Sequence, residues 1–106
     1  MEPSQGVIEI KLLHFNDVYN IQEQKEKGEV CPSAARFVTA MKRNGCEKKI
    51  VSFGGDLFNP SLMSYLYKGD QMIDVFNQLN VKVSCLGNHD LDFGIARMEE
   101  LVSKTP

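Results

Sequence analysis

At three places an apolar run stops abruptly at acidic, amide or imidazole side chains. Leu12-Leu13-His14-Phe15 breaks at Asn16-Asp17, Ile50-Val51-Ser52-Phe53 at Gly54-Gly55-Asp56, and Val81-Lys82-Val83-Ser84-Cys85-Leu86 at Gly87-Asn88-His89-Asp90. Carboxylates and an amide oxygen are hard ligands and imidazole a borderline one. Asp17, Asp56, Asn88 and His89 brought together would therefore suit a divalent cation. Singly, each has a plainer reading, since an Asp after a strand commonly caps the next helix and an Asn commonly fills a turn. Three such breaks at equivalent places favour a shared site. The carboxyl ends of parallel strands lie along one edge of an open α/β sheet, where ligands bind.

The elements that must position these groups follow from periodicity. Val7 to Phe15 begins as an alternating strand and becomes an apolar run, Ile50 to Phe53 is a short buried strand, and Val81 to Leu86 alternates again. From Ser33, the residues Ala34, Phe37, Val38, Ala40 and Met41 recur at helical spacing, with Pro32 ahead and Gly45 as a stop. Pro60-Ser61 opens a short helix to Tyr67 that Gly69 ends. Asp70 then suits an N-cap for a helix with Met72, Ile73, Phe76 and Leu79 on one face, and Ile95, Met98, Leu101 and Val102 outline a last helix. Gln22 to Glu29 is polar, of mixed sign and without apolar period, which predicts a solvated loop. The order strand, helix, strand, helix, strand, helix predicts an α/β fold of right-handed βαβ units on a mostly parallel sheet.

The 106 residues allow one small domain with a modest core. Twelve Lys and Arg against fourteen Asp and Glu give a net charge of −2, which is no electrostatic footprint for DNA or RNA, so no nucleic-acid partner is expected. No run of about 18 apolar residues predicts a membrane segment, and Met1-Glu2-Pro3-Ser4-Gln5 has neither the basic nor the apolar region of a secretory signal. Cys31, Cys46 and Cys85 are odd in number and form no C-x-x-C pair, which fits reduced, incidental thiols and a cytoplasmic location.

The breaks also carry a resemblance. Leu13-His14-Phe15-Asn16-Asp17-Val18-Tyr19, Gly54-Gly55-Asp56 followed by Asn59-Pro60-Ser61, and Gly87-Asn88-His89-Asp90-Leu91-Asp92-Phe93-Gly94 are similar to the first three motifs of the calcineurin-like metallophosphoesterase superfamily, and within it of the 5'-nucleotidase branch. That branch shows N-D-x-H after the first strand, G-D after the second and G-N-H-[ED]-x-D-x-G after the third. The third motif is the specific one. Ile73 to Asn80 also resembles the helix that the branch places before its third strand.

The resemblance implies a binuclear site with two divalent ions, drawn from Mn, Zn, Co or Fe. Asp56 would bridge them, Asp17 would bind the first and Asn88 the second. A metal-bridging hydroxide would attack the phosphorus of a nucleotide or other phosphate ester. His89 and Asp92 would be the catalytic pair: His89 beside the phosphoryl group, stabilising charge or protonating the leaving oxygen, and Asp92 orienting its ring. His14 is read as structural, because on a strand residues three apart face opposite ways, so His14 and Asp17 should not both face a metal unless the strand ends between them.

Two departures qualify this. Tyr19 stands where the family places a histidine ligand, and a neutral phenol with an unperturbed pKa of about 10 is a poor donor to Zn²⁺ or Mn²⁺; Tyr19 is thus an uncertain metal or substrate contact. The family's later lone-His and G-H-x-H motifs are also missing, since no histidine follows His89. The expectation is therefore that residues 1–106 form the amino-terminal part of a metallophosphoesterase α/β sandwich, a hydrolase domain whose carboxyl-terminal partner is missing and whose isolated form is inactive. The alternative is a non-catalytic interaction or regulatory module on the same fold. A metal-free phosphate-binding domain is disfavoured, because neither G-x-x-x-x-G-K-[ST] nor G-x-G-x-x-G occurs.

Overall fold

The computed structural model describes residues 6–44 and 48–106; the amino-terminal stretch Met1 to Gln5, the helix stop Gly45 and Cys46 lie outside the described residues. In chain order the elements are β1 (Lys11–Phe15), β2 (Gln24–Glu26), β3 (Glu29–Cys31), α1 (Ala34–Arg43), β4 (Lys49–Phe53), α2 (Leu62–Tyr67), a 3₁₀ turn at Asp70–Met72, α3 (Ile73–Leu79), β5 (Val83–Ser84), a 3₁₀ turn at Asn88–Leu91, and α4 (Ile95–Ser103). The strands β1, β4 and β5 form a parallel sheet in that order, with Phe15 opposite Phe53 and Phe53 opposite Ser84. The crossovers through α1 and α3 run in the same direction along the sheet, so right-handedness puts both helices on one face. There they pack side by side.

Beneath them lies the core. Phe53, Leu57, Phe58, Met72, Phe76 and Leu101 are buried together, with Phe15, Val18 and Val81 packed against them. The Phe53 ring meets Phe15 at 5.0 Å and Phe76 at 5.5 Å between centroids, the latter edge to face. Among the described residues nothing covers the opposite face of the sheet. Leu12, Ile50 and Val83 are 64%, 42% and 59% exposed there, around a hydrogen-bonding contact of 2.8 Å between His14 Nδ1 and Ser52 Oγ. Parallel sheets are ordinarily covered on both faces.

Three expectations need correction. The region read as a loop contains a hairpin, β2 against β3, with Glu26 opposite Glu29 and both intervening residues, Lys27 and Gly28, at positive φ. That is the geometry of a primed two-residue turn, and a hairpin whose first strand is wholly polar and whose second has only Val30 and Cys31 shows too little apolar alternation to reveal it. Pairing also starts later and ends earlier than alternation suggests: Val7 to Ile10 lies outside β1, and only Val83–Ser84 is assigned to β5. Finally, Asp70 does not cap α3, which has no side-chain cap.

Asp70 instead joins Lys104 at 3.0 Å and Arg97 at 2.9 Å, and these cations, Lys104 first, hold its carboxyl below the usual range. Arg97 also reaches Glu100 at 2.7 Å and donates to the Lys68 carbonyl at 3.0 Å, tying α4 to the end of α2. Partly exposed pairs contribute little singly, so Arg97→Ala is expected to cost about 1 kcal/mol. The urea midpoint should fall without a change in slope, and by less in concentrated salt, where the ion pairs are screened.

Candidate active site

Both carboxylates that follow the first two strands sit on strained backbone. Asp17 has φ 56° and Asp56 φ 60°, left-handed values that for a non-glycine residue cost on the order of 1 kcal/mol or more and that cluster at functional sites. Hydrogen bonds hold the strand ends in this shape. Gly54 N–H donates to the Phe15 carbonyl at 2.9 Å, and Asp17 N–H donates to the Gly55 carbonyl at 3.0 Å. The turn thereby brings the Asp17 carboxyl beside that of buried Asp56, close enough to raise its pKa. Burial raises the Asp56 pKa, and the Asp17 contact and the Asp90 charge raise it further, against a lowering by His89 N–H, which donates to Asp56 Oδ1 at 2.9 Å. Asn16 Nδ2 donates to the exposed Asp17.

The two glycine-bearing loops approach closely. Gly55 has φ 100°, and a Cβ on it would lie 2.7 Å from Gly87 Cα and 2.9 Å from the Leu86 carbonyl carbon. Asp90, only 2% exposed, staples the loops together. Its Oδ1 accepts from Leu57 N–H at 2.7 Å and Phe58 N–H at 3.0 Å, while its Oδ2 accepts from Asp56 N–H and Gly87 N–H, each at 2.9 Å. Sequence reasoning assigned Asp90 no role. The available signal was an acidic residue inside the third motif with no Lys or Arg near it in sequence, beside glycine-rich loops whose N–H groups need acceptors.

His89 lies on the same loop. Its Nδ1 is 2.8 Å from Asp92 Oδ2, and both side chains are about two-fifths exposed. The Asp92 hydrogen bond, followed by the charges of Asp92, Asp56 and Asp17, raises the His89 pKa against partial desolvation. In return His89 first, then Asn59, holds the Asp92 carboxyl below its usual range. Asn88 begins the 3₁₀ turn and immediately precedes the N–H that binds Asp56. Tyr19 is half-buried in the segment between β1 and β2. His14 lies on the bare sheet face with Ser52, apart from the Asp17 and Asp56 pair.

The donor set fits a cation in part. Two carboxylates in contact, one of them buried and raised in pKa, form a concentration of negative charge that a divalent ion would relieve. Among the described residues no group of three or more His, Cys, Asp and Glu side chains converges on a metal position. Asp17 and Asp56, with Asn88 nearby, therefore suit one hard ion but do not supply the coordination of two.

No family model matches the chain. It is 28% identical to human 5'-nucleotidase over 112 aligned positions that cover 96% of the chain and 20% of the human protein. It is 29% identical to the snake venom 5'-nucleotidase of Naja atra, covering 85% of the chain and 19% of that protein. The crystal structure of a 5'-nucleotidase precursor from Thermus thermophilus superposes with a TM-score of 0.73 at 25% identity, over 89% of this chain and 20% of that one. The chain thus spans about a fifth of the length of the relatives it matches. Parallel sheet, strand-end motifs and relatives agree that the chain resembles the amino-terminal portion of a 5'-nucleotidase, a hydrolase family within the calcineurin-like metallophosphoesterase superfamily.

Proposed function

We propose that the chain is the amino-terminal part of the catalytic domain of a metal-dependent phosphoester hydrolase acting on nucleotides. The contact between the Asp17 and Asp56 carboxyls, at the ends of adjacent parallel strands and beside His89, carries this reading. Asp17, Asp56 and Asn88 would hold a divalent cation, which when bound would acidify an attacking water and neutralise phosphoryl charge.

The chain's own residues do the rest. The staple at Asp90 fixes the loop bearing Asp56 against the loop bearing His89. Asp92 holds Nδ1 of His89, which leaves Nε2 as the ring atom free to meet the phosphoryl group or the leaving oxygen. The raised His89 pKa favours the protonated ring, and Asp56 and Asp17 contribute to that shift. A cationic ring there can stabilise developing negative charge or deliver a proton. Tyr19, in the position of an imidazole ligand, leaves the first cation with one strong donor fewer.

Calorimetric titration with Mn²⁺ tests the reading. The chain should bind a single ion weakly, and Asp56→Asn should abolish the binding heat while preserving the fold. The same 106 residues should hydrolyse no p-nitrophenyl phosphate or nucleoside monophosphate. Metal-dependent turnover abolished by Asp56→Asn would overturn the assignment of inactivity. Absence of any binding heat would favour the second reading, a non-catalytic module, to which Tyr19 and the sparse donor set already lend support.

A further inference from the structure

We propose that Asn59, oriented by Ser64, is a positioning residue that fixes the Asp92 carboxylate and through it the tautomer of His89, an inference that rests on the phosphoesterase reading above. Asn59 is 5% exposed and Ser64 fully buried, so neither is a surface group meeting Asp92 by chance. Asn59 Nδ2 lies 2.6 Å from Asp92 Oδ2, the same oxygen that meets His89 Nδ1 at 2.8 Å. On the other side of the amide, Ser64 Oγ contacts Asn59 Oδ1.

The direction of every bond in this chain is determined by its acceptor end. An ionised carboxylate only accepts, so the amide must turn its nitrogen to Asp92; the reverse orientation would set two oxygens against each other at 2.6 Å. Asn59 Oδ1 then faces Ser64 and requires the hydroxyl proton. That hydroxyl is itself fixed. It accepts from Ser61 N–H at 2.9 Å, and Ser61 Oγ in turn accepts from Ser64 N–H at 3.0 Å in the capping box that opens α2. Its one proton has a second acceptor within reach, the Ser61 carbonyl at 2.7 Å, so the serine is shared between the helix cap and the amide.

The start of α2 is thereby coupled to the imidazole of the neighbouring loop. With Oδ2 held by Asn59, the carboxylate cannot rotate away from His89 without breaking a partly buried hydrogen bond to a buried amide. Nδ1 must carry its proton to meet it, and Nε2 is the unprotonated atom whenever the ring is neutral. Free neutral imidazole side chains favour the opposite tautomer, so the arrangement imposes a state rather than merely permitting it.

Ring nitrogen shifts of His89 in the ¹⁵N-histidine-labelled chain, recorded well above the imidazole titration range so that the ring stays neutral, test this without metal or substrate. The expected pattern is a protonated Nδ1 and a bare Nε2 for His89. Asn59→Leu should move both shifts toward the average of an exchanging mixture, and Ser64→Ala should move them in the same direction by less, with the remaining amide spectrum unchanged. If Asn59→Leu does not fold, Ser64→Ala decides, because it keeps the Ser61 side-chain cap. His89 shifts identical to the parent in the folded variants would overturn the proposal. In a form of the protein that hydrolyses p-nitrophenyl phosphate, Asn59→Leu should lower kcat about ten- to a hundredfold with KM nearly unchanged. A locked tautomer released by Asn59→Leu in a chain that gives no Mn²⁺ binding heat would sink the phosphoesterase reading and leave this one standing; Mn²⁺ binding with His89 shifts unmoved by Asn59→Leu would do the reverse.

Discussion

Asp90→Ala is expected to destabilise the chain by about 4 kcal/mol, a large share of what a domain of this size holds. The carboxylate is buried and accepts four backbone N–H groups, three from the turn after β4 and one from Gly87. Truncation removes the acceptor and leaves buried donors unpaired, which costs more than the net value of the bonds. Asp90→Asn separates acceptor geometry from size. Each oxygen serves two donors, so an amide of the same shape must turn its NH₂ toward one pair of N–H groups, at a cost of about 2 kcal/mol. Urea unfolding checks both values. A neutral Asp90→Asn would show that the staple is not needed in its ionised form.

Gly55→Ala should be nearly as damaging, by about 3 kcal/mol, for a different reason. The residue has φ 100°, which an L side chain tolerates poorly, and the added Cβ would lie 2.7 Å from Gly87 Cα. Its nearest neighbours are backbone atoms, which cannot rotate aside as a side chain would. Relief requires the loops bearing Asp56 and His89 to separate, so amide shifts of both residues should change along with the unfolding midpoint. Gly28→Ala provides the contrast: φ is 83° there, but open space surrounds the position, and only about 1 kcal/mol of conformational cost is expected. Equal effects at the two glycines would mean that close approach of the loops contributes nothing.

The helices were the most legible part of the sequence. Their apolar positions recur with a helical period, and their ends carry punctuation: Ser33 accepts from Arg36 N–H at the start of α1, Ser61 does the same for α2, and Lys68 and Gly69 close α2 in left-handed conformations. Strand length was less legible. Alternation in Val7 to Ile10 states which face a strand would bury, not whether a neighbour is present to pair with it. In the site, Asp17, Asp56, Asn88, His89 and Asp92 were singled out because their chemistry stands at strand ends. Asp90 and Asn59 were quoted with them yet given no function. Their roles depend on which backbone amides and side chains the fold turns toward them, a long-range property that residue type and local spacing do not encode. Asp90 reaches Leu57 across 33 positions of sequence, and Asn59 reaches Asp92 across the same separation.

The bare side of the sheet gives the molecule two different orders of assembly. Packing of α1 and α3 onto Phe15, Val51 and Phe53 occurs within the chain and proceeds at any dilution. Covering Leu12, Ile50 and Val83 requires another layer. If that layer belongs to the same polypeptide, the layer's contribution to stability is independent of concentration; if it belongs to another molecule, mass action governs it and apparent stability rises with protein concentration. One half of the sheet is thus committed by its own sequence, while the thermodynamic reference state of the other half is set by the solution around it.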